Sequence, residues 1–144
     1  MNFFLIAGSV SIVVATVSAS AASLITYQTR PGSTARDYAA STRVAEGNIT
    51  YQTLPGSSSR DFKAPMLIRE GNVTYQTLPG SSMRNYKAPT WINDAQGIYQ
   101  TRPGTSSKDY VAPTWTTIDG VTHQNKSGTT SRDWSAPTFV TTKK

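Results

Sequence analysis

The sequence contains no cysteine, which excludes a disulfide framework and any metal site built from thiolates. It has a single histidine and few acidic residues, with eight Asp/Glu against fourteen Lys/Arg and a net charge of +6. Hydrophobic residues make up 37%, a share that includes the N-terminal segment. The rest of the chain is rich in Thr, Ser, Gly and Tyr, which indicates β structure with a thin core.

The N-terminus has the pattern of an export signal. Residues 3–17 are apolar, small residues follow, and Ala19-Ser20-Ala21 matches the A-x-A cleavage pattern, although no Lys or Arg precedes the apolar run. The run is shorter than the roughly 20 residues of a membrane span. We therefore predict a cleaved signal peptide over residues 1–21 and one domain over 22–144, with an uncleaved anchor as the alternative. The predicted location is secreted or cell-surface, with membrane contact only through the signal segment.

The remainder of the chain repeats every 24 residues, in five units at about 25–48, 49–72, 73–96, 97–120 and 121–144. A tyrosine column leads each unit and ends in His123, a glutamine column follows it without exception, and a cation column comes eight positions later. These structural columns are Tyr27, Tyr51, Tyr75, Tyr99; Gln28, Gln52, Gln76, Gln100, Gln124; and Arg36, Arg60, Arg84, Lys108, Arg132. No unit gains or loses a residue, which indicates that each residue has a counterpart in the next unit.

Within a unit, polar and apolar residues alternate with a period of two, as in "VTYQT" from Val73. A Pro-Gly turn follows, and we predict a second strand at the Arg-Asp-aromatic segment, ended by the next proline. No stretch has a helical period. The fold class is therefore all-β, with five 24-residue strand-turn-strand repeats.

Two arrangements of the repeats remain open. In a short β-solenoid, equivalent residues lie one above another, and the glutamines would form an amide ladder. In a meander of β-hairpins, equivalents lie two strands apart, and the like-charged cation column is not brought to strand spacing. The terminal units depart from the consensus, and we interpret His123 and the final Lys-Lys as end caps of an open stack.

Candidate chemical sites are few. Trp91 and Trp115 share one column and could stack on sugar rings, or could belong to the core, and we expect the Tyr27 and Tyr38 columns to pack. Asn48, Asn72 and Asn125 match the N-glycosylation sequon. We expect the repeat cations to be paired with or solvated beside the neighbouring Asp. The carboxylates and other reactive side chains recur in the repeat units, whereas an active site needs one singular set of residues. We therefore predict that the protein is not an enzyme and has no catalytic site, metal site or cofactor.

These observations favour a secreted structural or adhesive protein of an extracellular coat, matrix or fibre. It would act by association with itself, end to end, or by binding acidic polysaccharide or another anionic surface. The alternative is a multivalent carbohydrate-binding, lectin-like module that uses the repeated Trp and Tyr columns. Nucleic acid is not an expected partner, because the cations do not form one stripe with aromatics between them.

Overall fold

A computed structural model describes residues 23–143, and it contains only antiparallel β-strands and connecting loops in this range. The all-β prediction is confirmed. The described residues also include no helix long and apolar enough to cross a membrane. The predicted signal peptide lies outside the described residues. The strands are β1 Leu24–Gln28, β2 Arg43–Glu46, β3 Ile49–Gln52, β4 Leu67–Glu70, β5 Val73–Gln76, β6 Trp91–Asp94, β7 Gly97–Gln100, β8 Trp115–Ile118, β9 Val121–Gln124 and β10 Thr138–Lys143.

The ten strands form a closed barrel, because each strand pairs with its neighbours in sequence and β1 also pairs with β10. The closing register runs from Leu24 opposite Lys143 to Gln28 opposite Phe139. This confirms the hairpin meander. The solenoid alternative is wrong, because an antiparallel strand separates each pair of equivalent strands, so Gln52 and Gln76 do not form an amide ladder.

The barrel has no end unit, which corrects the end-cap interpretation. His123 lies in β9, which pairs with β8 on one side and β10 on the other. Lys143 lies opposite Leu24 in the closing pair, so it protects no free strand edge. Closure satisfies the hydrogen-bonding groups that caps would otherwise have to cover.

The second strand of each unit begins later than the sequence suggested. The Arg-Asp-aromatic segment makes one isolated bridge, such as Thr77 opposite Arg84, and then turns. The turn forms because the Asn85 side chain accepts a hydrogen bond from the backbone N–H of Lys87, 3.0 Å away. The strand starts only beyond Pro89, which has no N–H to donate to a ladder.

Tight turns join the strands at one rim of the barrel, which we call the hairpin rim. Gly47 has φ 64° at the first position of the β2–β3 turn, as a type II′ turn requires. Asp119 and Gly120 have φ 52° and 80°, as in a type I′ turn between β8 and β9. Both ends of the barrel sequence, Leu24 and Lys143, also lie at this rim. The opposite rim carries five long loops over residues 29–42, 53–66, 77–90, 101–114 and 125–137, and we call it the loop rim.

One face of the sheet encloses the barrel core. The exposed fractions of Trp115, Trp91 and Phe139 on this face are 2%, 4% and 5%. On the opposite face, Ile118 is 59% exposed. The fifth member of the tryptophan column is Arg43, and burial lowers the pKa of its guanidinium to about 9. This column of the core is therefore apolar in four units and carries a cation in the first.

Buried threonines fasten the base of each long loop. Thr101 is fully buried, and its Oγ1 accepts a hydrogen bond from the backbone N–H of Thr90 at 3.0 Å. The two hydroxyl oxygens are also 2.9 Å apart. The equivalent positions are equally buried, with threonine in three further units and asparagine in the last; they are Thr29, Thr53, Thr77 and Asn125. The loops thus leave the barrel from fixed points.

Candidate binding surface on the loop rim

Four of the five long loops bring a cation between two aromatic rings, and the fifth brings a cation against one. The Arg36 guanidinium carbon lies 4.7 Å from the ring centroid of Tyr27 on β1 and 4.9 Å from that of Tyr38 in the loop. These separations are in the range of cation–π contacts. The cation and tyrosine columns predicted from the sequence therefore do come together, with the second ring supplied by a column that we expected only to pack.

The same arrangement recurs around the barrel. The two distances are 4.7 and 4.8 Å for Arg60, 4.6 and 5.0 Å for Arg84, and 4.7 and 5.3 Å for the Lys108 ammonium. In the last unit, Arg132 lies 4.0 Å from the ring of Trp134. The corresponding strand position there is His123, whose pKa is lowered by burial and by the Arg132 charge.

Local backbone chemistry explains how the loop presents this group. The Asp37 carboxylate accepts a hydrogen bond from the backbone N–H of Ala39 at 3.0 Å, which turns the chain just after the cation. The carboxylate is thus engaged with the loop backbone. Arg36 stacks on the two rings and forms no ion pair with this carboxylate, so stacking replaces the expected Arg–Asp pairing.

The outer aromatic ring of each loop is open to solvent. Tyr38, Phe62, Tyr86, Tyr110 and Trp134 have exposed fractions between 69% and 74%. Sequence reasoning missed these residues as a surface, because an aromatic column in a repeat is more often part of a core. The sequence did contain a signal of this exposure. Each ring directly follows the Asp or Asn that turns the loop, and it falls outside the period-two pattern of the strands.

Neighbouring loops approach each other closely. A Cβ on Gly128 would lie 3.4 Å from the carbonyl oxygen of Tyr110 in the preceding unit, and Gly128 has φ 72°. The corresponding distances in the other four units lie between 3.3 and 3.7 Å, and the contact of Gly32 with Trp134 joins the first unit to the last. The five aromatic groups therefore form one continuous rim around the barrel.

The two rims differ in charge. The five long loops carry ten Lys/Arg and four Asp. Four carboxylates lie at the ends of hairpin strands or in their turns, at Glu46, Glu70, Asp94 and Asp119. The loop rim thus combines positive charge with exposed aromatic surface, and most of the positive charge of the described chain lies there.

The predicted glycan-stacking pair does not reach this surface. Trp91 and Trp115 are buried in the barrel core, so their rings are closed to a ligand and the stacking prediction is wrong for both. Their indole nitrogens have no hydrogen-bond partner in the described chain. The alternative assignment, to the core, is the one that agrees with their burial.

The three sequons have different environments. Asn48 and Asn72 lie in exposed hairpin turns. Asn125 is 3% exposed, and its amide nitrogen donates to the hydroxyls of Thr114 at 2.9 Å and Thr116 at 3.2 Å. A glycan on Asn125 does not fit the folded barrel, so that prediction is corrected.

Within residues 23–143 no three His, Asp or Glu side chains are grouped so that they could hold a metal ion. The glutamine column lies on the interior face, where Gln100 is opposite Trp91 and Gln124 is opposite Trp115. The loop rim is therefore the surface with the clearest repeated chemistry. Comparison of the chain with models of protein families, with curated proteins and with solved structures found no match.

Proposed function

We propose that this protein is a secreted, adhesive binding protein that attaches to anionic polysaccharide through its loop rim. The single observation that carries the proposal is the fivefold recurrence of an exposed aromatic ring stacked on a cation. Aromatic faces stack on sugar rings, and cations attract the carboxylate or sulfate groups of an acidic glycan.

The arrangement of the sites supports multivalent attachment. All five loops follow strands that run in one direction, so the five rings lie on one rim. A polymer or a surface can then engage several of them at once, and weak individual contacts add up to strong overall binding. This proposal joins the adhesive and the lectin-like interpretations of the sequence, with the Tyr38 column in place of the tryptophans.

Association end to end receives less support than the sequence suggested. That interpretation required an open stack with free strand edges. Within the described residues every strand is paired on both sides, so strand addition has no edge on which to start.

Export is part of the proposal. We infer that residues 1–21 are a signal segment and that the mature chain, five 24-residue units from residue 22 onwards, acts outside the cell without catalysis or a cofactor. The apolar N-terminal run and the cleavage pattern support this view. N-terminal sequencing of the exported protein tests it, with Ala22 as the expected first residue and an intact Met1 as the contrary result.

Binding to immobilised acidic polysaccharide, measured by surface plasmon resonance, tests the function. We expect Trp134→Ala and Tyr86→Ala together to weaken binding about tenfold or more, since two of five contacts are lost. The matched control is Ile118→Ala, because Ile118 is 59% exposed but lies at the hairpin rim. We also expect the affinity to fall as salt rises from 50 to about 500 mM, since screening weakens attraction between exposed charges.

Two results would contradict the proposal. One is equal loss of binding in the Ile118 control, which would assign binding to general surface stickiness. The other is tight binding that neither the aromatic variants nor salt affects.

A further inference from the structure

A cleft between two neighbouring units is large enough for a small ligand. It lies between the fourth loop and the turn of the fifth unit, and it has a volume of about 500 Å³, within the range of about 300–1,000 Å³ for small-molecule sites. Its walls include Tyr99, Tyr110 and the turn at Gly128. The repeat makes it possible to ask which residues are special to this cleft.

Five lining positions depart from the residue that the other units carry, and one of them, Ile98, stands where the others have threonine. Gly97 stands where the others have Ile or Val, and Thr116 also stands where the others have Ile or Val. Asn125 replaces the buried threonine, and Lys108 replaces arginine. Apart from Ile98, each change is to a smaller or more polar side chain, or from arginine to a compact ammonium. The changes at Thr116, Asn125 and Lys108 alter the polarity of this cleft, whereas the space of a Gly97 side chain is filled by the Trp115 carbonyl oxygen.

Asn125 adds an independent sign of a ligand. Its side chain is 3% exposed and lines the cleft, and its Oδ1 has no hydrogen-bond partner among the described residues. Leaving a buried polar atom unpaired costs about 1–3 kcal/mol. A threonine, as in the other units, avoids this cost, so the asparagine is unfavourable unless something bonds to it.

The remaining polar groups define the chemistry of that ligand. Asp94 and Asp109 line the cleft together with Lys108, so the charged lining has more carboxylates than cations. Hydroxyls come from Thr129, Thr130 and Ser131. This lining offers hydrogen-bond acceptors for hydroxyl groups, beside the two tyrosine rings, and it does not favour an added negative charge.

We propose that this cleft is a binding site for one neutral sugar residue, which donates a hydroxyl to Asn125 Oδ1 and lies against the ring of Tyr110. The site shares Tyr99, Lys108 and Tyr110 with the rim group of the fourth unit, but its polar residues Asn125 and Thr116 occur once per chain. It deepens the proposed function, because an adhesive protein would then recognise both the charge of a polymer and one particular neutral residue.

A variant that restores the repeat consensus provides the test. Asn125→Thr combined with Thr116→Ile gives the cleft the residues of other units, which are already compatible with this fold. Isothermal titration calorimetry with a panel of neutral monosaccharides, and with glucuronate and galacturonate for comparison, measures affinity and stoichiometry. Urea denaturation verifies that the variant is folded.

We expect at least one neutral sugar to bind at one molecule per chain and more tightly than either uronate. The consensus variant should weaken this binding about tenfold or more, which corresponds to the loss of one good hydrogen bond. Ile118→Ala should leave it unchanged, because Ile118 is exposed at the hairpin rim and is not part of the cleft.

The proposal is overturned if no neutral sugar in the panel binds, if uronates bind better, or if the folded consensus variant binds as well as the native protein. Polysaccharide binding by the consensus variant is measured in parallel. If it persists while monosaccharide binding is absent from the native protein, the cleft proposal fails and the rim proposal stands. If polysaccharide binding is absent from both proteins, the rim proposal fails instead.

Discussion

The hydroxyl of Thr101 fastens the fourth long loop to the barrel, and replacing it with the isosteric Thr101→Val should destabilise the protein strongly. Thr101 is fully buried, so no water can replace the lost group. The substitution leaves the backbone N–H of Thr90 without its acceptor and the Thr90 hydroxyl without its partner. The Thr101 backbone N–H, which donates to the Thr90 carbonyl, is unaffected.

The size of the effect follows from these two groups. An unsatisfied buried polar group costs about 1–3 kcal/mol. The Thr90 hydroxyl can still turn towards its own surroundings, so we expect a total loss of about 2–4 kcal/mol in the free energy of unfolding. Thr101→Ser keeps the hydroxyl and removes one methyl group, and it should cost only about 1 kcal/mol.

Thr77 supplies a second comparison. Its Oγ1 accepts from the backbone N–H of Met66 at 2.9 Å, and the partner position has no hydroxyl. Thr77→Val therefore leaves one buried donor unpaired and should cost about 1–3 kcal/mol, less than the valine substitution at Thr101.

Urea denaturation followed by tryptophan fluorescence measures all three variants, because Trp91 and Trp115 are buried in the core and report its exposure. The reasoning is refuted if Thr101→Val loses less than Thr101→Ser. It is also refuted if the two valine variants rank in the opposite order, since hydrogen bonds could not then be what fastens the loops.

Three further predictions concern single positions in the barrel. Arg43→Leu should raise the free energy of unfolding by about 1 kcal/mol at pH 7, because it completes an apolar core column. The folded-state pKa of Arg43 is below its unfolded value, so native stability should rise with pH above about 9, and denaturation at pH 7 and 10 should show a smaller gain for the leucine variant at the higher pH. The pKa of His123 is also lowered, so the unfolded state binds its proton first and native stability falls as pH decreases through about 6.5. His123→Tyr should remove this fall in stability between about pH 7.5 and 5.5. An unchanged dependence of stability on pH in the variant would contradict the prediction. Gly97→Val should lower the free energy of unfolding by more than about 2 kcal/mol, because φ is 137° and a Cβ would meet a backbone oxygen of Trp115 at 2.5 Å. Gly47→Ala, with open space around it and φ 64°, should lower it by about 1 kcal/mol. Equal thermal midpoints for the two variants would contradict this ranking.

The sequence was sufficient to predict the class of fold and the identity of the repeating columns. Period-two alternation around Tyr75 and the Pro-Gly turn depend on local chemistry, which a sequence displays directly. The strand after Pro89 was harder to place. The segment before it forms only a single bridge at Arg84 and a turn held by the Asn85 side chain, but its sequence resembles that of a short strand.

Closure was the larger omission. Whether β1 meets β10 depends on the twist and curvature accumulated over ten strands, and no local pattern encodes it. Without closure, the variant residues of the last unit resembled end caps. With closure, Asn125 belongs to a cleft and His123 to an ordinary position of the ring.

The candidate surface was predicted only in part. Sequence columns identified Arg36 and Tyr27 as recurrent, but exposure depends on which loop residue follows the turn. Trp115 has the strongest stacking chemistry, and it is buried because its strand position faces the barrel interior. Residue type indicated the chemistry, and only the register decided which aromatics are accessible.

The account depends most on the closed ring, and an engineered cross-link between β1 and β10 tests it directly. The hydroxyl oxygens of Thr26 and Thr141 are 2.7 Å apart, so cysteines at both positions are close enough for a disulfide, and the native chain has no cysteine to compete. We expect Thr26→Cys with Thr141→Cys to form an intramolecular bond on oxidation, seen by mass spectrometry in a monomeric protein, while Thr26→Cys with Thr74→Cys stays reduced. Free thiols in the first pair, or disulfide-linked oligomers, would contradict closure of the barrel.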